Sequence, residues 1–121
     1  MKCGNVDFVY GNAFRLPFKD NFFEVIFHQG FLEHFSDEQI IQLLNEQLRV
    51  GKIVIFSVPN NFYQEKDFGD ERLLSKEKWD KLLQNNFKLV ESKNYNSIKR
   101  KLFKKIPFRV VDTMYFAKIM K

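Results

Sequence analysis

Two apolar runs separated by polar turns open the chain. Residues 6–10 are short and β-prone and end at Gly11, whereas residues 22–27 are almost continuously apolar. Each run predicts a strand, since β-branched and aromatic residues bounded by turn residues are typical of strands. A continuous apolar run is also typical of a strand that is buried on both faces, as in a parallel sheet.

Two amphipathic helices alternate with further strands. Ser36 and Gln39 have the spacing of a capping box, which predicts that a helix starts there. Gly51 is expected to end this helix by taking a positive φ. Residues 52–58 form the clearest β-prone run, and Ser75 is a candidate N-cap for a second helix. One stripe of the first helix carries its apolar residues: Ile40, Ile41, Leu43, Leu44 and Leu48.

The order of these elements predicts an α/β fold. Residues 87–92 and 110–120 add two more β-prone runs, so the order is strand, strand, helix, strand, helix, strand, strand. This alternation favours a mostly parallel sheet with crossover helices, and the last two strands favour a C-terminal antiparallel pair. A chain of 121 residues is long enough for one domain, which we expect to span residues 1–121.

Composition places the chain among globular proteins of a reducing compartment. No apolar run approaches the roughly 20 residues of a membrane span. The first residues lack the apolar core of a secretion signal. Cys3 is the only cysteine, so an internal disulfide is excluded and a cytoplasmic location is expected.

The segment from residue 11 to residue 34 carries the most informative pattern. It contains a polar turn, Leu-Pro-Phe at 16–18, a second turn, the apolar run at 22–27 and Leu-Glu-His at 32–34. This order resembles the middle of class I S-adenosylmethionine-dependent methyltransferases of the type 11 kind. Their pattern there is roughly G-D-A-x-x-L-P-F-x-D-x-x-F-D-x-V followed by L-E-H. The resemblance covers residues 5–95 well and the rest by topology. It implies the carboxyl-terminal portion of a Rossmann-like methyltransferase fold.

The resemblance also implies an S-adenosylmethionine cofactor and residues that contact it. In the family, an acidic residue after the third strand accepts from the adenine amino group, and the next backbone amide donates to the ring. Asn12 and Ala13 hold those positions here, and an Asn carbonyl oxygen can still accept from an amino group. Alternatively, Asn12 is a turn residue that bonds its own backbone. The end of the next strand would face the methionine part of the cofactor: His28, Gln29 and Gly30.

Glu33 and His34 match the family's Glu-His pair, which the resemblance places near the rim where the methyl acceptor enters. A histidine beside a carboxylate can act as a general base near neutral pH, so both are candidate catalytic residues. The alternative is that they only fix the loop before the first helix. Residues 59–63 follow the next strand, where the family often contacts the acceptor. The pattern does not identify the acceptor.

One part of the family's site has no counterpart in the sequence. The family holds its cofactor with a G-x-G-x-G loop and with an acidic residue at the ribose. The five glycines here stand at positions 4, 11, 30, 51 and 69, and no two are close enough for such a loop. The sequence therefore predicts the family more firmly than it predicts cofactor binding by this chain alone.

Other chemistries find less support. The two histidines and Glu33 have no recognised metal-ligand spacing, and one cysteine excludes a thiolate cage, so no metal site is predicted. No serine lies in a nucleophile elbow.

Residues 97–111 form the most basic segment, with six Lys or Arg residues and no acid. Apolar residues within it have near-helical spacing, so a basic amphipathic turn there could lie on an anionic membrane surface or hold a polyanionic acceptor. The alternative is a solvated linker between the last two strands. Nucleic acid is not an expected partner despite the net charge of +5, because no binding motif accompanies that charge.

Two functions remain open at this point. Either the chain is part of a methyltransferase, or it is a non-catalytic, methyltransferase-like remnant that acts as an interaction module, with residues 97–111 as one candidate surface. In the full fold, two strands lie between the runs at 6–10 and 22–27. Without them, residues 22–27 would expose an apolar, unpaired edge. We expect either direct pairing of 6–10 with 22–27, or coverage by a second copy or a partner chain.

Overall fold

The computed structural model describes residues 6–63, 69–100 and 109–121. These residues form a mixed α/β sheet of four strands with two helices, which confirms the predicted fold class. In chain order the elements are β1 (Phe23–Gln29), a 3-10 turn (Leu32–His34), α1 (Asp37–Val50), β2 (Gly51–Pro59), α2 (Lys76–Asn86), β3 (Lys88–Arg100) and β4 (Arg109–Met120).

The strands lie in the order β1-β2-β4-β3. β1 and β2 are parallel, with Phe23 opposite Gly51, and β4 is antiparallel to both of its neighbours. Three strands therefore share one direction, and β4 alone is reversed. The predicted C-terminal antiparallel pair is confirmed. β4, however, lies inside the sheet, because the chain returning from β3 enters the space between β2 and β3.

Both helices cover the same face of the sheet, which we call the closed face. Its strand residues alternate with outward ones and are almost fully buried: Val54, Phe56, Val58, Tyr115, Ala117 and Ile119. α1 and α2 contribute Leu43, Leu44, Trp79 and Leu83 to this core. The closed face thus contains the hydrophobic core of the described chain.

The opposite face, which we call the open face, carries no described helix. In β1 it presents Val25 and Phe27, which are 44% and 81% exposed. The expectation that residues 22–27 are buried on both faces is therefore wrong for the described chain. Alternation in a strand sends every second side chain to the open face, where nothing in the described ranges covers it.

Both helix starts follow the sequence, and α1 ends at Gly51 as predicted, although Gly51 does not take the expected positive φ. Ser36 Oγ accepts from the Gln39 amide at 3.3 Å and the Gln39 side chain accepts from the Ser36 amide at 3.1 Å, so the capping box is confirmed. Ser75 caps α2 by accepting from the Lys78 amide. Gly51 has φ −128°, which is extended, and starts β2. A Cβ there would lie 2.8 Å from the Ile26 side chain, so close approach of β1, not positive φ, requires glycine.

Residues 6–10 do not form a strand, contrary to the sequence prediction. Phe8 and Tyr10 are almost fully exposed. A β-prone run needs a pairing partner, and β1 pairs only with β2 within the described part of the chain. Direct pairing of 6–10 with the β1 strand is therefore wrong, and β1 is an edge strand. Coverage of that edge by a second copy or a partner chain stays a prediction.

The two described ends of the basic segment pair with each other at the far end of β3 and β4. Ser97 pairs with Asp112 and Arg100 with Arg109, so the predicted helical turn is wrong at both ends of the segment. Residues 101–108 and Cys3 lie outside the described residues. Among the helices described, none is both long and apolar enough to cross a membrane.

Candidate functional site

A cavity of about 190 Å³ lies at the carboxyl ends of β1 and β2, and we call it the strand-end cavity. This is the position at which open α/β sheets bind ligands. Eight residues line it: Gln29, Gly30, Glu33, His34, Pro59, Tyr63, Glu71 and Met114. Four of the predicted site residues, at positions 29, 30, 33 and 34, therefore meet at one place.

Gly30 turns the chain from β1 into the 3-10 turn. Its φ of +69° is in the left-handed region, which favours glycine, and its amide donates to the Ser57 carbonyl at 3.0 Å. A Cβ at this position would lie 3.7 Å from Glu33 Oε2. Leu32 is fully buried in the core and anchors the turn. Glu33 and His34 are thereby held at the end of the sheet.

Asn60 holds the loop after β2 in place. It is fully buried, its amide donates to the Thr113 carbonyl at 2.9 Å, and its Nδ2 donates to the Asp112 carbonyl at 2.8 Å. Its own carbonyl accepts from the Tyr63 amide at 3.1 Å. The loop is therefore bound to the neighbouring strand β4, and Tyr63 is positioned at the cavity. The predicted acceptor-side loop at 59–63 does reach the site.

Arg72 brings a second loop to the same place. Its amide donates to the Glu33 carbonyl at 2.7 Å, and its guanidinium donates to the Phe35 carbonyl and to Asp37 Oδ1 at 2.7 Å. These bonds join the segment before α2 to the start of α1. Asp70 and Glu71, directly before Arg72, consequently lie beside the 3-10 turn.

Glu33 and His34 have different environments although they are adjacent. Glu33 is 3% exposed, and its Oε1 has no hydrogen-bond partner among the described residues. Burial raises the pKa of the Glu33 carboxyl above its usual value. His34 Nδ1 lies 2.9 Å from Asp70 Oδ1, and this hydrogen bond raises the pKa of the His34 imidazole. The site therefore contains a buried carboxyl that disfavours its charge and an imidazole that favours its own.

His28 belongs to the core, although its strand ends at the cavity. Its Nε2 lies 2.9 Å from Gln47 Oε1 on α1, and its ring stacks on Phe56 with centroids 5.7 Å apart. Burial lowers the pKa of the His28 imidazole, which favours the neutral ring. The side chain points to the closed face, so a cofactor contact at position 28 could come only from the backbone.

Asn12 and Ala13 lie apart from the strand-end cavity and do not line it. Asn12 Oδ1 accepts from the Phe14 amide at 2.9 Å, and the Asn12 carbonyl accepts from the Arg15 amide at 3.0 Å. These are the bonds of a turn residue that satisfies its own backbone, the alternative given above. Their predicted adenine contact stays a prediction, because a carbonyl oxygen has a second lone pair.

Sequence reasoning missed Asp70, Glu71 and Met114 as site residues. Glu71 is 6% exposed and Met114 lies opposite Pro59 on β4. An Asp-Glu pair in the loop after a strand whose carboxyl end faces the site was the available signal for the first two. Met114 had none, because its place depends on the insertion of β4 between β2 and β3.

The described residues fit only part of an S-adenosylmethionine molecule. The cavity of about 190 Å³ is smaller than the roughly 300 Å³ at which small-molecule pockets begin. Among the described residues, Gly30 alone of the glycines lines it, whereas close approach of backbone to a cofactor needs several. The described residues by themselves therefore do not form a complete cofactor site.

Comparison with known proteins supports the methyltransferase resemblance. Residues 1–56 match the methyltransferase domain family. A protein of Pyrococcus horikoshii has a similar structure, with 16% identity and a TM-score of 0.65 over 96% of this chain and 59% of that one. A SAM-dependent methyltransferase of Archaeoglobus fulgidus shares 14% identity, with a TM-score of 0.68 over 98% of this chain and 69% of that one. No curated protein sequence matches the chain significantly.

A third similar structure shows that the fold is not restricted to one reaction. The [4+2]-cyclase SpnF shares 22% identity and a TM-score of 0.61 over 76% of this chain and 36% of its own. At such identities the likeness establishes the fold alone. The chain also spans only about three fifths of the Pyrococcus protein.

Proposed function

We propose that this chain, which is class I methyltransferase-like by the match of residues 1–56 and by its fold, provides the acceptor side of an S-adenosylmethionine-dependent methyltransferase. The observation that carries the proposal is the meeting of Gln29, Gly30, Glu33 and His34 in the strand-end cavity. A glycine-rich loop from other polypeptide would hold the methionine side of the cofactor, since the five glycines here are too dispersed to do so.

The chain's own residues would bind and orient the acceptor. Tyr63, on the loop held by Asn60, and Pro59 offer one wall of the cavity, and the 3-10 turn offers the other. Alignment of donor and acceptor and exclusion of water supply most of what methyl transfer needs. S-adenosylmethionine, when bound, would supply the methyl group.

His34 is the proposed general base. Asp70 accepts from Nδ1–H, which makes Nε2 the basic nitrogen of the neutral ring. Nε2 would take the proton that an acceptor hydroxyl or amine loses. Asp70, which is bonded to Nδ1–H, would stabilise the imidazolium that results.

Calorimetric titration with S-adenosylhomocysteine tests the cofactor part of this proposal. Gly30→Ala and Gly69→Ala form a matched pair, because both glycines have positive φ but only Gly30 lines the cavity. We expect weak binding by the wild type, a further loss in Gly30→Ala and no change in Gly69→Ala. Absence of heat at millimolar ligand would show that this chain is not an autonomous enzyme.

A second candidate function is that of an interaction module without catalysis. It is favoured by the edge of β1 that no described strand pairs with, together with the exposed Val25 and Phe27 on its open face. An extended segment of a second copy would pair with this edge. Sedimentation velocity over a range of protein concentrations tests it, since a monomer at all concentrations would contradict self-pairing.

A further inference from the structure

The strand-end cavity has a group of side chains with the chemistry of a metal site. His34, Asp70 and Glu71 each offer one ligand atom, and these atoms lie within 4.8 Å of one another. One imidazole and two carboxylates can hold a divalent cation in a site that leaves positions open for water or substrate. The three residues come from two loops, which the bonds of Arg72 hold together.

A second and independent observation points to a ligand at this place. Glu33 lines the same cavity, is 3% exposed, and its Oε1 has no hydrogen-bond partner among the described residues. A buried carboxylate oxygen without a partner is costly, and it is usually explained by an ion or a functional role. Arg72, whose amide donates to the Glu33 carbonyl, has its guanidinium already bonded to Asp37 and to the Phe35 carbonyl.

The excess of carboxyl groups at the cavity also favours a bound cation. Among the described residues, Glu33, Asp70 and Glu71 contribute three carboxyl groups within interaction range of one another, against the single imidazole of His34. A bound divalent cation would compensate these charges and stabilise the ionised forms.

We propose that His34, Asp70 and Glu71 bind a divalent transition-metal ion at the strand-end cavity, with Glu33 beside it. The imidazole ligand favours Zn²⁺ over Ca²⁺, and the two carboxylates also suit Mn²⁺. This site does not depend on the proposed methyl transfer. If the ion is present, His34 is a ligand and not a base, and the ion itself would lower the pKa of a bound acceptor hydroxyl.

Mn²⁺ titration, followed by the electron paramagnetic resonance of the free ion, tests the proposal without cofactor or acceptor. Asp70→Asn keeps a hydrogen-bond acceptor for His34 and changes a side chain that is 63% exposed, so the variant should fold. We expect it to weaken Mn²⁺ binding by at least about tenfold. Glu24→Gln, which removes an exposed carboxylate paired with Lys52, is the matched control and should bind like the wild type.

Competition identifies the ligand set. Zn²⁺ should displace bound Mn²⁺ and Ca²⁺ should not, and His34→Gln should remove this preference. No Mn²⁺ binding at millimolar concentration, equal affinity in Asp70→Asn and the wild type, or displacement by Ca²⁺ as effective as by Zn²⁺ would each overturn the proposal. Because the titration contains no S-adenosyl compound, its failure leaves the proposed methyl transfer untouched, and the reverse also holds.

Discussion

The two faces of the sheet use the same residue types in opposite ways. Phe56 of β2 is 1% exposed on the closed face, beneath Trp79 and Tyr115. Phe27 of β1 is 81% exposed on the open face. The residues opposite each other along β1 and β2 are Phe27 with Ile55 and His28 with Phe56, so the two phenylalanines lie on neighbouring strands, one residue apart in register.

The two faces differ in whether the described chain buries their apolar side chains. On the closed face each helix is capped and its apolar stripe is buried. The open face has strands of the same apolar kind and no described cover. Parallel strands, such as β1 and β2 here, are usually covered on both faces. The open face is therefore the part of the fold that a second copy, a partner or further chain would complete.

The largest expected effect is a loss of stability that tests the difference in burial between the two faces. Phe56→Ala should lower the free energy of unfolding by about 3–5 kcal/mol, because it leaves a cavity in the core. Phe27→Ala should change it by no more than about 0.5 kcal/mol, because the ring is already in water. Urea denaturation followed by circular dichroism measures both.

A large loss of stability in Phe27→Ala would contradict the difference in burial between the two faces. It would mean that the open face is buried in solution, and the free energy of unfolding of the wild type would then rise with protein concentration, as expected for a folded oligomer. Measuring the wild type and Phe27→Ala at two concentrations each separates this outcome from an error in the fold.

A buried polar contact gives the next largest effect. Tyr115 is fully buried on the closed face, and its hydroxyl donates to Asp80 Oδ1 on α2 at 2.7 Å. Burial and this carboxylate raise the pKa of the Tyr115 hydroxyl, so the hydroxyl stays protonated. Tyr115→Phe should cost about 1.5–3 kcal/mol, as for a hydrogen bond to a charged group. Tyr95→Phe, at the open face, is the control and should cost less than about 0.5 kcal/mol in the same denaturation experiment.

The closed face could be predicted from the sequence because its determinants are local. The Ser36–Gln39 capping box and the apolar stripe of α1 act within a few residues, and the structure has both. Errors occurred where a distant residue decides the outcome. Gly51 is required by the approach of Ile26, and residues 6–10 lack a strand because they have no pairing partner within the described ranges.

The residues of the candidate site also differ in whether the sequence alone could predict them. Gln29, Gly30, Glu33 and His34 could be predicted, since the carboxyl end of a strand and the residues that follow it are readable from one segment. Glu71 and Met114 could not, because the first depends on Arg72 bonding to the 3-10 turn and the second on the register of β4 with β2. Sequence patterns predict the residues that one segment places at the site, whereas contacts between distant segments become visible only in the structure.

A smaller effect is expected for the N-cap of α1, which measures how much the capping box contributes to the stability of the closed face. Ser36→Ala removes the acceptor for the Gln39 amide and should cost about 1 kcal/mol. Ser36→Asp, which can accept the same bond, is the matched control and should retain nearly all of the stability. Denaturation gives the free energy of unfolding of each variant. Faster hydrogen exchange confined to the first turn of α1 would identify the cap as the cause of a loss. Equal losses in both variants would show that the cap does not contribute.

Glu33→Gln should have the smallest effect and the opposite sign. Tyr115 is buried with a partner for its polar atom, whereas Glu33 Oε1 is buried without one among the described residues, so its ionised form destabilises the fold. Burial raises the folded-state pKa of Glu33 above its usual 4.5, so its stability contribution is fully present below pH 4.5 and is lost as pH rises through the folded-state pKa. Glu33→Gln should therefore be more stable than the wild type near neutral pH, by about 0.5 kcal/mol, and equal to it in acid.

His34, Asp70 and Glu71, the charged groups near Glu33, are present in both proteins, so the difference between the two pH profiles reports the Glu33 carboxyl together with its electrostatic coupling to these groups. Denaturation in metal-free buffer at several pH values measures it. A variant that is less stable than the wild type at neutral pH would mean that the Glu33 carboxylate has a bonding partner in solution. Repeating the series with Zn²⁺ should reverse the order, because the bound ion would favour the charged carboxylate and the amide would lose that contact.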